Sequence, residues 1–203
     1  MLTLLIQEVM HSRSLSFSGL DAIAVSSGPG SYTGLRIGVA TAKGLCYALS
    51  KPLIAIPTLQ SMAAGMFLNT PPPAPSPSGE GAVSLACCPM IDARRMEVFC
   101  AIYDEKGKEI YPTTAEIIDG NSFSALLAKH TIVFAGDGSK KCRSFLIHHE
   151  NAVFLDDFAA SAKYMTLLAG EKLTNKDFEN LAYFEPFYLK AFIAGKPRVK
   201  GLV

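Results

Sequence analysis

Apolar residues at Leu2, Leu4, Leu5, Val9 and Met10 recur at helical spacing, so the chain opens in an amphipathic helix. A polar break at Ser14–Gly19 follows, and Asp21–Ser26 (DAIAVS) reads as a short buried strand. Gly28, Pro29 and Gly30 stop that strand, and a helix is predicted from Ser31 to about Ser50. Pro52–Pro57 (PLIAIP) is a second buried strand bounded by prolines. Thr58 is the expected N-cap of the helix TLQSMAAGMF behind it.

Further on, the order of elements changes. Val83–Ile91 and Met96–Tyr103 form a predicted hairpin around Asp92-Ala93-Arg94-Arg95, with Glu109–Ile118 as the next strand. A helix (Ser122–Lys129), a strand (Thr131–Ala135), a helix (Ser139–His148) and a strand (Ala152–Leu155) come next. One more helix starts at Ser161, ahead of the tail AYFEPFYLKAFIAGKPRV. The second half thus reads βββαβαβα and the first αβαβα, the same string without its first three strands. Two halves with one element order point to a duplicated architecture. Three strands with their turns amount to roughly 30 residues. The expectation is that the chain starts inside its first domain, through truncation, a late start codon or biology. Five prolines with Ser and Gly in NTPPPAPSPSGEG cannot pack as a helix or central strand. The expected division is an incomplete N-terminal domain at 1–68, a Pro-rich linker at 69–82 and a C-terminal domain at 83–203.

Composition narrows the classes. Of 203 residues, 49% are hydrophobic and 18% charged, enough to bury a sizeable core. With 19 Lys+Arg against 18 Asp+Glu, the chain has no electrostatic footprint for independent nucleic-acid binding. Contact with RNA is expected to be local or borrowed through a partner. Cys46, Cys87, Cys88, Cys100 and Cys142 are odd in number and lack C-x-x-C spacing. They are expected to be reduced and to act as small hydrophobes. No apolar run reaches the ~20 residues of a membrane span. The N-terminus lacks a basic n-region and a small-residue cleavage site. The expected location is cytoplasmic, with no membrane partner.

The segment Ser26–Gly38, SSGPGSYTGLRIG, concentrates the candidate chemistry. Gly28 and Gly30 permit positive φ, so the backbone can turn sharply after a buried strand. Ser31 or Thr33 can cap the next helix, whose free N–H groups and dipole favour an anion. Gly28, Gly30, Ser31 and Thr33 are therefore the candidates for a phosphate corner. The other reading is a tight turn with a helix packed close on a sheet. Neither G-x-x-x-x-G-K-[ST] nor G-x-G-x-x-G with a following acid is present, and spacing favours the structural reading. Gly34 and Gly38 lie four apart on one helical face, where small residues let another helix approach. Arg36 sits in the first turns, where its charge opposes the helix dipole, so a specific partner for it is expected.

SSGPGSYTGLRIGVATAKGL followed by PLIAIPTLQSMA resembles the signature stretch of the TsaB (YeaZ) family. PMIDARRMEVFCAIYD and YFEPFYLKAF are similar to that family's later blocks, in the same order. The resemblance implies an α/β, actin/Hsp70-like (ASKHA, RNase H-like) duplicated fold, with the first domain lacking its initial three strands. It also implies a catalytically degenerate subunit that binds a TsaD-like paralogue and works with a TsaE-like ATPase. Together they support transfer of a threonylcarbamoyl group to the adenosine beside the tRNA anticodon (t6A). ATP and a metal ion are expected on the partner subunits and no cofactor on this chain, with tRNA met only indirectly. The implied partner interface uses the first-domain helices, with Leu2, Leu5, Val9, Tyr32, Gly34, Arg36 and Gly38, and a homodimer through the same helices. Ordinary core is the other reading of Leu5, Val9 and Met10.

Other constellations weigh less. His11, His130, His148 and His149 show no H-x-x-x-H spacing. Asp92-Ala93-Arg94-Arg95 is either a partner or phosphate contact, or a turn whose Asp caps backbone amides. Gly136-Asp137-Gly138-Ser139 reads as a turn with Ser139 as N-cap. A hydrolase would need a nucleophile elbow, and G-x-S-x-G is absent. The alternatives to a scaffold are an autonomous ATP-dependent phosphotransferase on the same fold, and a peptidase acting on a TsaD-like partner.

Overall fold

The computed structural model describes residues 2–70 and 84–190; most of the expected linker and the end of the tail lie outside the described residues. Helix α1 (Leu2–Ser12) leads through a 3-10 turn at Phe17–Gly19 into β1 (Ile23–Gly28). Then come α2 (Tyr32–Leu49), β2 (Leu53–Pro57) and α3 (Thr58–Asn69). The second half runs β3 (Ser84–Asp92), β4 (Glu97–Asp104), β5 (Glu109–Ile117), α4 (Ser124–Leu127), β6 (His130–Ala135), α5 (Ser139–Leu146) and β7 (Ala152–Leu155). A 3-10 turn at Ala162–Met165 then enters α6 (Thr166–Thr174). The predicted βββαβαβα order is the one observed.

β1 and β2 pair in parallel in a two-stranded sheet, Ile23 opposite Leu53 and Ser26 opposite Ile56. The second sheet has five strands in the order β5-β4-β3-β6-β7, with β3–β4 and β4–β5 antiparallel and β3–β6 and β6–β7 parallel. Helices cover both faces of its centre, which is why β3 and β4 read as continuous apolar runs rather than alternating ones. Side chains alternate between the faces. Ala86, Cys88, Met90, Cys100 and Phe134 point towards α4 and α5, meeting Leu127, Cys142 and Leu146. Leu85, Cys87, Ala101, Tyr103 and Val133 point the other way, onto Leu59, Met62, Ala63 and Met66 of α3. A helix that precedes the linker thus completes the core of the sheet that follows it.

The first sheet is served in return. Val25 and Leu53 pack with Val39, Ala42 and Cys46 of α2, and Leu181 and Phe184 from the tail close that core. Helix α6 packs on β2, and Glu179 bridges to Leu53. Gly65 of α3 lies face to face with Tyr164, where a Cβ would sit 2.4 Å from the ring. Glycine is what lets α3 approach there.

Two caps differ from expectation. Pro57, not Thr58, holds the N-cap position of α3 and makes no side-chain cap bond. Thr58 is the first residue of α3 instead, its hydroxyl 2.5 Å from that of Ser26 on β1. Ser139 is the first residue of α5 rather than its cap, and its hydroxyl donates back to the Gly136 carbonyl at 2.7 Å. All five cysteines are free and buried, as expected of small hydrophobes. Burial pushes the Cys88 thiol well above its ordinary value and the Cys87 thiol up to about 12.

Candidate functional site

Two segments far apart in sequence meet across the seam between the sheets. One is the joint between β1 and α2. The other is the β3–β4 hairpin tip. Between them lies a cavity of about 410 Å³ lined by Gly30, Ser31, Thr33, Arg94, Arg95 and Lys190. A second cavity of about 490 Å³ continues past Ile91 and Asp137 towards Gly136, Lys140 and Phe158.

At the joint, Gly28 has φ +115°, and a Cβ there would lie 2.4 Å from the Phe187 carbonyl oxygen. Only glycine fits that position. Gly30 differs from expectation: its φ is not positive, and a Cβ would meet only Leu35 at 3.9 Å. The peptide from Gly28 to Pro29 is cis. Ser31 caps α2, its hydroxyl accepting from the Gly34 amide at 3.4 Å, so Thr33 lies inside the first turn. Ser31, Tyr32 and Thr33 of that turn line the cavity.

Within the chain, Arg36 turns back along its own helix to Tyr32. It donates to the Tyr32 hydroxyl at 3.4 Å, with its guanidinium 5.6 Å from the ring centre. Tyr32 in turn lies 4.7 Å from the ring of Tyr188. Among the described residues, Gly34 and Gly38 of α2 are not used for close approach. A Cβ at Gly34 would meet only Ser31, and one at Gly38 would touch Val25 at 3.9 Å, an ordinary contact. On α1, Met10 is core, whereas Leu2, Leu5 and Val9 are 37%, 59% and 61% exposed. The ordinary-core reading holds for Met10 alone of the three residues it covered.

Across the cavity, Asp92 serves as the turn reading required, accepting from the Arg94 amide at 2.8 Å. Lys141 of α5 pairs with the Asp92 carboxylate and donates to the carbonyls of Arg95 (3.0 Å) and Glu97 (2.6 Å). The hydrogen bond from Lys141, then that from the Arg94 amide, holds the Asp92 carboxyl below its ordinary value. Asp137 accepts from the Asp92 amide at 2.9 Å, tying the Gly136–Ser139 turn to the hairpin. Arg94 and Arg95 both take positive φ, at 67° and 54°. Lys141 was missed in the sequence, and Asp137 was read only as part of a turn, because their roles depend on α5 and β6 docking beside β3. No local pattern signals that.

The histidines do not converge. His148 and His149 lie ring to ring just past α5, and His130 pairs with Ser84 at 2.6 Å at the far end of β6. Among the described residues, no group of three His, Cys, Asp or Glu is placed to hold a metal ion. No helix among them is long and apolar enough to cross a membrane.

Comparison with known proteins places this geometry in context. Residues 1–191 match the family model described as TsaD: tRNA N6-adenosine threonylcarbamoyltransferase. The chain is 34% identical over 105 residues to the tRNA threonylcarbamoyladenosine biosynthesis protein TsaB of Escherichia coli, covering 51% of this chain and 40% of that protein. To the protein of the same name from Bacillus subtilis it is 33% identical over 101 residues, 50% of this chain and 38% of the relative. The matches thus span about two fifths of the length of these relatives. The solved structure of YeaZ from Pseudomonas aeruginosa superposes with a TM-score of 0.69 at 21% identity, covering 91% of this chain and 81% of that one. The actin/Hsp70-like α/β fold implied by the sequence is therefore the fold of this chain.

Proposed function

The chain belongs to the TsaD, tRNA N6-adenosine threonylcarbamoyltransferase, family, and on that premise we propose that it is a TsaB-type partner subunit in t6A modification of tRNA. In this reading it binds a TsaD-like paralogue and organises it for threonylcarbamoyl transfer without catalysing the step itself. A TsaE-like ATPase completes the assembly, ATP and metal are held by the partners, and tRNA is met indirectly.

The observation that carries the proposal is the bare face of α1. Leu5 and Val9 are 59% and 61% exposed, and Ile37 and Tyr47 of the neighbouring α2 are 53% and 83% exposed. Clustered exposed apolar side chains mark an interaction surface. The remaining interface residues of this reading, Tyr32, Gly34, Arg36 and Gly38, lie on α2. A homodimer would use the same face and compete with the paralogue for it.

The test is co-elution of the chain with a tagged TsaD-like protein. Replacing Leu5 and Val9 together by Asp is expected to weaken the complex at least tenfold. Because both are exposed, folding stability should change by no more than about 0.5 kcal/mol per site. Depleting the protein in cells should lower threonylcarbamoyladenosine in bulk tRNA; unchanged nucleoside would sink the scaffold reading. The phosphotransferase reading draws on the cavity between the α2 N-terminus and Arg94–Arg95, where a phosphate would meet helix amides and guanidinium groups. ATP turnover by the chain alone would favour it. Cleavage of the TsaD-like protein in the same mixture, followed by intact mass, would favour the peptidase.

A further inference from the structure

The tail block YFEPFYLK has no part in the proposed interface, yet it makes a run of specific contacts along the seam. Glu179 N–H donates to the Leu53 carbonyl at 2.9 Å, so the segment starts on the outer edge of β2. Lys43 of α2 then reaches over it and donates to the carbonyls of Ala182 (3.2 Å) and Phe184 (3.1 Å). A lysine that binds two main-chain oxygens clamps the backbone whatever its side chains are. Leu181 and Phe184 are half-buried and pack against the core of the first half.

Beyond Phe184 the segment leaves the first half for the seam. The Phe187 amide donates to the Ser27 carbonyl at 2.7 Å, and the Phe187 carbonyl presses on Gly28, the one glycine the joint requires. Phe187 also borders a cavity of about 260 Å³ shared with Tyr103, Glu109 and Thr113 of the second sheet. Tyr188 packs against Tyr32, at the first turn of α2, with the ring planes tilted by 35°. Lys190 forms an ion pair with Glu97, at the base of the hairpin tip that faces that turn. Within four residues the segment is bonded to both walls of the seam cavity of about 410 Å³. It lines the mouth of that cavity with Tyr188, Leu189 and Lys190.

We propose that residues 179–190 are a strap that couples the two halves and sets how far the seam cavity opens. The strap is anchored on the first half by Lys43 and the Phe187 amide. Its far end is latched to the second half by Lys190 and Glu97. Weakening either end transmits to the other, because Phe187–Lys190 is too short to absorb a shift of one wall without pulling on the opposite wall. The strap operates whichever functional reading holds, since it concerns the opening of the seam and not what enters it.

Hydrogen–deuterium exchange of the full chain at single-amide resolution tests this from both ends. Glu97→Gln removes the charge of the latch on the second half at nearly constant shape. The expected result is at least tenfold faster exchange of the Phe187 amide, which Glu97 does not touch, with the amides of β6 unchanged. Lys43→Met, on the first half, is expected to speed the amides of residues 94–97 by a similar factor. Acceleration confined to residues 97 and 190 in the first variant would overturn the proposal. So would acceleration confined to residues 179–187 in the second. Should Lys43→Met also loosen β6, Glu97→Gln alone decides, because its side chain is at the surface and outside every core cluster.

Discussion

The two halves run through the same four elements, β1-α2-β2-α3 and β6-α5-β7-α6, but they solve burial differently. In the second half β6 is paired on both sides, by β3 and β7, inside a sheet of five strands. In the first half β1 is paired only with β2 among the described residues. A two-stranded sheet is marginal by itself. The first half compensates by lending and borrowing. It gives α3 to the other sheet, and it takes α6, Leu181 and Phe184 for its own. The lesson is that repeat order in a sequence does not mark units that bury themselves. Each half is completed by chain from the other.

The largest test of that exchange is Leu59→Ala. Leu59 belongs to the first half by sequence, is fully buried and packs on the second sheet. The substitution is expected to cost roughly 2–5 kcal/mol. Urea unfolding should stay a single transition with an unchanged slope and a lower midpoint. Two separated transitions would show that the halves fold apart, and would break the comparison.

A smaller effect is expected at the joint, where the two glycines are predicted to part company. Gly28→Ala puts a Cβ at positive φ and against the Phe187 carbonyl, at a cost of about 1–3 kcal/mol. Gly30→Ala meets only Leu35 at van der Waals distance and should stay within about 0.5 kcal/mol. Thermal or denaturant midpoints of the pair measure the difference directly. Equal losses would mean that the strap is not seated on Gly28.

The smallest effect sits on the opposite wall. The Asp92 carboxyl has its folded value lowered by Lys141 and the Arg94 amide, so the unfolded chain takes up the proton first as pH falls. Its stabilising contribution is complete above the unfolded carboxylate value of about 3.9 and is lost as pH drops through the lower folded value. Amides 93–97 should lose protection in acid before those of β6, after correction for intrinsic rates. Asp92→Asn should remove that acid step and leave the joint unchanged.

Much of the architecture was legible in advance. Ala152–Leu155 was placed to the residue, and β3 to β5 and the order of the second half followed from apolar runs broken by turn residues. Such runs report local periodicity, which the backbone obeys wherever the element packs. The candidate site was legible in pieces. Ser26–Gly38 and Asp92–Arg95 both stood out, but nothing in either said that they face each other. The misses have a common cause. Thr58 gave up its cap role to bond Ser26 on a neighbouring strand, and Gly30 lost its conformational role because Gly28 already makes the turn. Helix α4 closed after only Ser124–Leu127, short of the predicted Ser122–Lys129, with Asp119 and Ser122 bonded to each other in the turn before it.

By itself, then, the sequence determined which segments are strands and helices, where they turn, and the family to which the chain belongs. These depend on neighbours within a few residues and on motif order. Only the tertiary structure decided that α3 serves the second sheet, that Lys141 and Asp137 brace the hairpin, and that the tail straps the seam. Each of those rests on which of several apolar faces meets which, and on contacts between residues about 45 to 140 positions apart. Apolar burial has no direction, so the pattern that makes a face says nothing about its mate.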